Sequence, residues 1–202
     1  GEPQAYRHAL EQTIDEADQL IRIFNALLSI AAAEAGAART SFGELDAATL
    51  ARDVAELYEP IAEDSNAVLT VEADGPAPLY GDRELISQAL ANLIDNALKY
   101  GLPAPAEGEG ASTARGEIAL GVVRRDSMVE ISVCDHGPGV PEGERERVLQ
   151  RFVRLETSRS RPGSGLGLSL AAAVARLHKG ELKLEDNSPG LAVRMILPAR
   201  RP

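Results

Sequence analysis

Two asparagines one helical turn apart, Asn92 and Asn96, precede Lys99 and Tyr100 in the stretch 85–101. Carboxamide oxygens are neutral hard donors and an ammonium is a point cation. Together they suit a polyphosphate carried by Mg²⁺, which takes oxygen ligands, keeps several waters and shares itself with phosphate oxygens. Farther on, Asp135 is followed by Gly137, Gly139 and Val140. A carboxylate at a strand end can accept a hydrogen bond from an exocyclic amine such as that of adenine, and the glycines let the backbone turn and approach a ligand closely. A third group, Gly163, Gly165, Leu166 and Gly167, opens a helix. Its free backbone N–H groups and the positive end of the helix dipole make an anion site. No Gly-Lys-Ser/Thr follows, so it is not a Walker loop, and the charged segment before it does not match a dinucleotide fingerprint. That segment carries Arg145, Arg147, Arg151, Arg154, Arg159 and Arg161 around Phe152 and reads as a mobile lid. Taken singly, the asparagines also suit a solvated helix face, and Asp135 with its glycines a tight turn.

These groups need rigid carriers. In the asparagine helix Ile86, Leu90, Leu93 and Ala97 share one face, whereas Asn92, Asn96 and Lys99 share another. Asp82 is its expected N-cap, with Glu84 complementing the dipole. Residues 117–125 and 128–134 alternate as a hairpin that ends at Asp135. The helix opened by the third group continues through Leu170, Val174 and Leu177, and strands 181–185 and 191–197 close the chain around Asn187-Ser188-Pro189-Gly190. Upstream, residues 41–42 can start a strand, and Asp46 caps a helix to about residue 63 with Leu50, Val54, Leu57 and Ile61 inward. Short strands are expected at 68–73 and 79–80, and the Gly/Pro/Ala-rich stretch 101–116 is a flexible insertion. Residues 5–36 form a long helix: Leu10, Ile14, Ala17, Ile21, Phe24, Leu28 and Ala31 alternate four and three apart. Such a seam needs a partner helix from another subunit or another segment. Residues 36–40 are a hinge.

With 202 residues and 44% hydrophobic content the chain can bury its own core. A net charge of -10 argues against nucleic-acid or anionic-membrane binding. The single cysteine, Cys134, excludes an intramolecular disulfide framework and reads as a buried structural thiol. No apolar run is long enough to span a membrane.

In order, N-x-x-x-N-A-x-K-Y, D-x-G-x-G-V, an Arg-rich lid with Phe152, and G-x-G-x-G-L resemble the nucleotide-binding domain of bacterial sensor histidine kinases of the GHKL superfamily. The ending V-R-M-I-L-P resembles that family's last strand. The resemblance spans essentially the whole chain. It implies an α+β fold, a two-layer α/β sandwich with a mixed sheet of the Bergerat type, preceded by one long helix. Residues 1–36 would be the second helix of the dimerisation and phosphotransfer hairpin, in part. Residues 37–202 would be the catalytic ATP-binding domain, with its insertion at 101–116 and its lid at about 138–163. ATP and Mg²⁺ are the implied cofactors. Asn96 would coordinate the metal with Asn92 beside it, Lys99 would meet phosphate, and Tyr100 would lie along the nucleotide. Asp135 would recognise adenine, Gly137 and Gly139 would permit the approach, and Val140 would lie against the ring. Arg159, Arg154 and Arg161 would move in with the lid, while Gly163, Gly165, Leu166 and Gly167 would wrap the phosphates.

The resemblance further implies γ-phosphoryl transfer to a histidine for relay to a response-regulator aspartate, homodimerisation through the hairpin, and a cytoplasmic place, with any inner-membrane anchor upstream. Related ATPases carry a glutamate where Asn92 stands, as base for water; its absence predicts slow hydrolysis. Asp95 reads as a surface residue. The chain departs from the family at the acceptor. None of its three histidines, His8, His136 and His178, is followed by the acidic residue and later proline expected of the acceptor, so a catalytic portion of a longer kinase is expected. A pseudokinase-like interaction module and a phosphatase-dominant regulator are the alternative readings.

Overall fold

The computed structural model describes residues 42–102, 115–155 and 165–199, together with Phe24, Leu28 and Ala31. Those three seam positions are helical and exposed. The rest of the expected long helix, the hinge, most of the insertion and the distal lid lie outside the described residues.

Strand β1 (Gly43–Asp46) leads directly into helix α1 (Ala47–Asp64). Then come β2 (Ala67–Ala73), β3 (Pro78–Gly81), helix α2 (Arg83–Tyr100), β4 (Gly116–Arg125), β5 (Met128–Asp135), helix α3 (Gly167–Leu177), β6 (Glu181–Asp186) and β7 (Leu191–Pro198). The main sheet is five-stranded in the order β2-β4-β5-β7-β6. Only β2–β4 is parallel among its pairs, so the sheet is mixed. β1 and β3 form a small antiparallel ribbon beside it.

Period-two alternation decides which face is covered. Ile118, Leu120 and Val122 of β4, Val129, Ile131 and Val133 of β5, and Val193, Met195 and Leu197 of β7 point to one face and are buried. The helices lie on that face, with α2 against β5 and α3 against β6 and β7. The opposite face carries Glu130, Arg194 and Glu185, joined by an Arg194 ion-pair network. Cys134 shares that outer face and is half-buried, not buried as expected, because it falls one residue out of phase with Val133. Burial still pushes its thiol up, which disfavours the reactive thiolate.

Two other expectations are corrected. Phe42 is not a strand residue. Its ring stacks on His178 at 4.6 Å, and the strand begins just after it, paired with β3. Leu57 and Ile61 of α1 are exposed, at 74% and 49%. The helix instead turns its small-residue row, Ala47, Ala51, Ala55 and Ala62, inward, so its axis can lie close to the sheet. The leucine-spaced row of Leu50 and Val54 is only the edge of that stripe, and its continuation to Leu57 and Ile61 runs off the core.

Candidate functional site

Helix α2 carries the asparagines, and its start is fixed from two sides. The Asp82 carboxylate accepts from Leu85 N–H at 3.0 Å, which caps the helix. The Asp82 N–H donates to His178 Nε2 at 2.9 Å. Since an amide nitrogen only donates, Nε2 must accept, and His178 Nδ1 therefore donates to the Val174 carbonyl at 2.8 Å. The buried imidazole is neutral and ties the end of α3 to the start of α2. Burial lowers its pKa below the ordinary value.

Asn92 Nδ2 donates to the Gln88 carbonyl at 2.7 Å, which leaves Oδ1 to face away from the helix backbone. The N-terminus of α3 closes on this face. A Cβ placed on Gly167 would lie 3.1 Å from Asn96 Nδ2 and 3.5 Å from Asn92 Oδ1. Two motifs about 70 residues apart thus meet at glycine clearance, bringing carboxamide oxygens to the positive end of a helix dipole. Such a place favours polyanion oxygens with a hard cation between them and the amides. Among the described residues no cluster of three His, Cys, Asp or Glu could cage a metal.

At the other end of the same cleft stands Asp135, last in β5 and 8% exposed. Its Oδ1 accepts from Gly137 N–H at 2.9 Å and from Leu191 N–H at 3.2 Å. Both described bonds fall on Oδ1, and none is described on Oδ2. Desolvation raises its pKa and outweighs those two hydrogen bonds, which act to lower it.

Lys99, Tyr100, Gly139, Val140, Arg154 and Gly165 join Asn92, Asn96, Asp135 and Gly167 along the cleft wall. Gly137 and Leu166 stand behind it. A Cβ on Gly137 would lie 2.6 Å from Gly101 Cα, and one on Gly101 would lie 2.4 Å from Asp135 Cγ, so these glycines let the end of α2 press against the base of Asp135. Leu166 is 1% exposed and anchors the start of α3 in the core. Arg159, Arg161 and Gly163 lie outside the described residues. Sequence reasoning missed Gly101, which it took only as a helix end, and the apolar Val148, Val153 and Leu155 of the lid base, which also line the cleft. The lid base is closed by Phe152 N–H donating to Gly165 O at 3.0 Å, with both residues at positive φ. Asp95 is not a plain surface residue: it lines the cleft, and burial together with the Asp95 carboxylate raises the pKa of the Tyr58 phenol of α1.

Residues 81–201 match the family described as histidine kinase-, DNA gyrase B-, and HSP90-like ATPases. The adaptive-response sensory kinase SasA of Crocosphaera subtropica is 36% identical over 143 residues, covering 70% of this chain and 34% of that protein. The solved structure of the mycobacterial sensor histidine kinase MprB superposes with a TM-score of 0.64 at 28% identity, covering 79% of this chain and 99% of that one. Full-length ShkA in complex with AMPPNP superposes with a TM-score of 0.78 at 26% identity, covering all of this chain (100%) and 40% of that one. The chain spans between about a quarter and a half of the length of the curated relatives it matches. With its mixed sheet, its asparagine helix and its glycine-led α3 around one cleft, the chain belongs to the histidine kinase-, DNA gyrase B- and HSP90-like ATPase family, as an ATP-binding catalytic domain of the histidine-kinase type.

Proposed function

We propose that this chain binds ATP with Mg²⁺ in the α2–α3 cleft and serves as the catalytic part of a sensor histidine kinase. The γ-phosphoryl passes to a histidine and from there to a response-regulator aspartate. The observation that carries the reading is the meeting of Gly167 with both Asn92 and Asn96. Asn96 and Asn92 hold the metal, Lys99 meets phosphate, and Tyr100 lies along the nucleotide. Asp135 reads the adenine amine with Val140 against the ring. Gly165, Gly167 and the N–H groups opening α3 hold phosphate, joined by Gly163, Arg154, Arg159 and Arg161 of a lid at about 138–163. When bound, Mg²⁺ neutralises charge on the phosphate oxygens, and positioning by the residues named does the rest.

Asn92 stands where a hydrolytic base would be needed, and a carboxamide cannot take a proton from water at neutral pH, so transfer is favoured over hydrolysis. His178 is not the acceptor, because it is buried and both ring nitrogens are engaged. Residues 1–36 act as the second hairpin helix and pair in a homodimer, leaving residues 37–202 as the catalytic domain with its insertion at 101–116.

The test is calorimetric titration of a non-hydrolysable ATP analogue, with and without Mg²⁺, into the chain and into Asn96→Asp and Asp135→Asn. Binding that Asp135→Asn abolishes, and that Asn96→Asp alters only with Mg²⁺, is expected. Supplying a separate acceptor-helix hairpin with ATP should then yield acid-labile phosphohistidine on it. Absence of binding by the unmodified chain would refute the reading.

A further inference from the structure

We infer that the turn joining β6 to β7 is a specificity element of the nucleotide site, in which Asn187 fixes the backbone of Asp135 so that its remaining oxygen meets the exocyclic amine of adenine. The inference rests on the reading of Asp135 as the base-recognising carboxylate.

Three contacts from one turn converge on that residue. Asn187 Nδ2 donates to the Asp135 main-chain carbonyl at 2.8 Å, across 52 positions of sequence. Gly190 backs directly onto the same carbonyl, where a Cβ would lie 1.8 Å from the oxygen, and its φ of +118° is open to glycine. Leu191 N–H then holds Oδ1 at 3.2 Å. The main chain is gripped by a side chain and the carboxylate by a main chain, so residues 187–191 hold the position of Asp135 and, together with Gly137 N–H, the rotation of its carboxyl group.

On the β4 side Asp135 is paired with Ile118, but on the other side the β5–β7 register ends at Cys134↔Ala192, and there the grip replaces the ladder. Asp135 lies one residue past that pairing, where ladder bonds to β7 no longer hold it. The turn is itself braced by Asn187 N–H donating to Gly190 O at 3.2 Å and by Ser188 Oγ donating to Asp186 at 2.7 Å. A fixed acceptor rewards a donor at the ring's exocyclic position and rejects a base that lacks one, since the buried carboxylate oxygen would then stay unpaired. Asn187 touches no reacting atom; it is a positioning residue acting through Asp135.

The experiment titrates the whole chain with a non-hydrolysable ATP analogue and with the matching analogue of purine riboside triphosphate, which lacks only the exocyclic amine. Asn187→Ala and Asn187→Leu are titrated alongside; the second keeps about the side chain's size, adds no charge and loses the donor. Thermal unfolding of each variant confirms a folded sample. The unmodified chain should prefer the adenine analogue. Both variants should narrow that preference by about threefold to tenfold, the size of one hydrogen bond, while binding of the purine analogue moves less than about twofold. An equal loss for both nucleotides would overturn the inference and make the turn a structural wall, and so would an unchanged ratio in whichever variant folds. No preference in the unmodified chain would instead refute the role of Asp135 itself, and the inference with it.

Discussion

Replacing Gly167 by alanine separates the stability of the fold from the competence of its site. Gly167 is the first residue of α3, and its φ lies outside the positive range, so alanine is conformationally acceptable there. Glycine to alanine within a helix gains up to about 1 kcal/mol, and less at a first helical position. The new methyl group, however, would sit 3.1 Å from Asn96 Nδ2 and 3.5 Å from both Asn96 Oδ1 and Asn92 Oδ1. The first of these is a few tenths of an ångström inside ordinary contact. Asn92 cannot yield without breaking its bond to Gln88, so Asn96 has to turn. Losing one amide's contact with a charged ligand costs about 1.5–3 kcal/mol, or roughly 10- to 150-fold in Kd. Urea unfolding should show a midpoint unchanged or raised, whereas calorimetric titration with the Mg²⁺-loaded ATP analogue should show that loss of affinity. Affinity within about twofold of the unmodified chain would refute the argument that the two motifs form one phosphate and metal site. A loss of affinity that merely tracks a loss of stability would refute the separation.

Gly101→Ala should act in the opposite sense, because its Cβ would meet Asp135 Cβ and Cγ at 2.4 Å and the Ala97 carbonyl at 2.7 Å. Neither neighbour can retreat, so an overpacking penalty of about 1–3 kcal/mol in urea unfolding is expected together with weakened nucleotide binding. An unchanged unfolding midpoint would show that the end of α2 is not pressed against Asp135. His178 gives a pH dependence whose sign follows from its burial: its folded-state pKa lies below the usual 6.5, so the unfolded chain takes up the proton first. Stability from this group is complete above about pH 6.5 and is lost as pH falls through the folded value. His178→Gln should flatten that part of the stability profile, and an unaltered profile would refute the neutral bridging role.

Much of this was legible because periodicity reports on faces. The asparagine helix, the β4–β5 hairpin and the last two strands lie within a residue or two of their expected bounds, since each has an unbroken apolar period and a turn or cap at its ends. Asp82 as a cap was readable for the same reason: one acid directly precedes the apolar stripe it starts. Leu57 and Ile61 misled because periodicity fixes a direction on a helix but not where the helix axis sits. Asp95 misled because its partner, Tyr58, lies on another helix. Nothing local in Asn187 announces a bond to a carbonyl 52 residues earlier.

The glycines explain why the three motifs occur together at all. In sequence they suggest supple loops, yet Gly101, Gly137, Gly167 and Gly190 are places where two backbones or a backbone and an amide approach more closely than a Cβ permits. They divide into two sets. Gly101, Gly137 and Gly190 lock the end of α2, the end of β5 and the β6–β7 turn around Asp135, while Gly167 and Gly165 bring α3 and the lid base to the asparagine face. The end of the cleft around Asp135 is therefore built from main chain held on three sides. The asparagine end depends on how α3 sits against α2, and His178 links those helices at their far ends. A shift between α2 and α3 would alter the asparagine–Gly167 gap before it disturbed Asp135. The two ends of the cleft are thus mechanically separable in this fold, and the Gly167→Ala and Asn187→Ala variants should each impair one without the other.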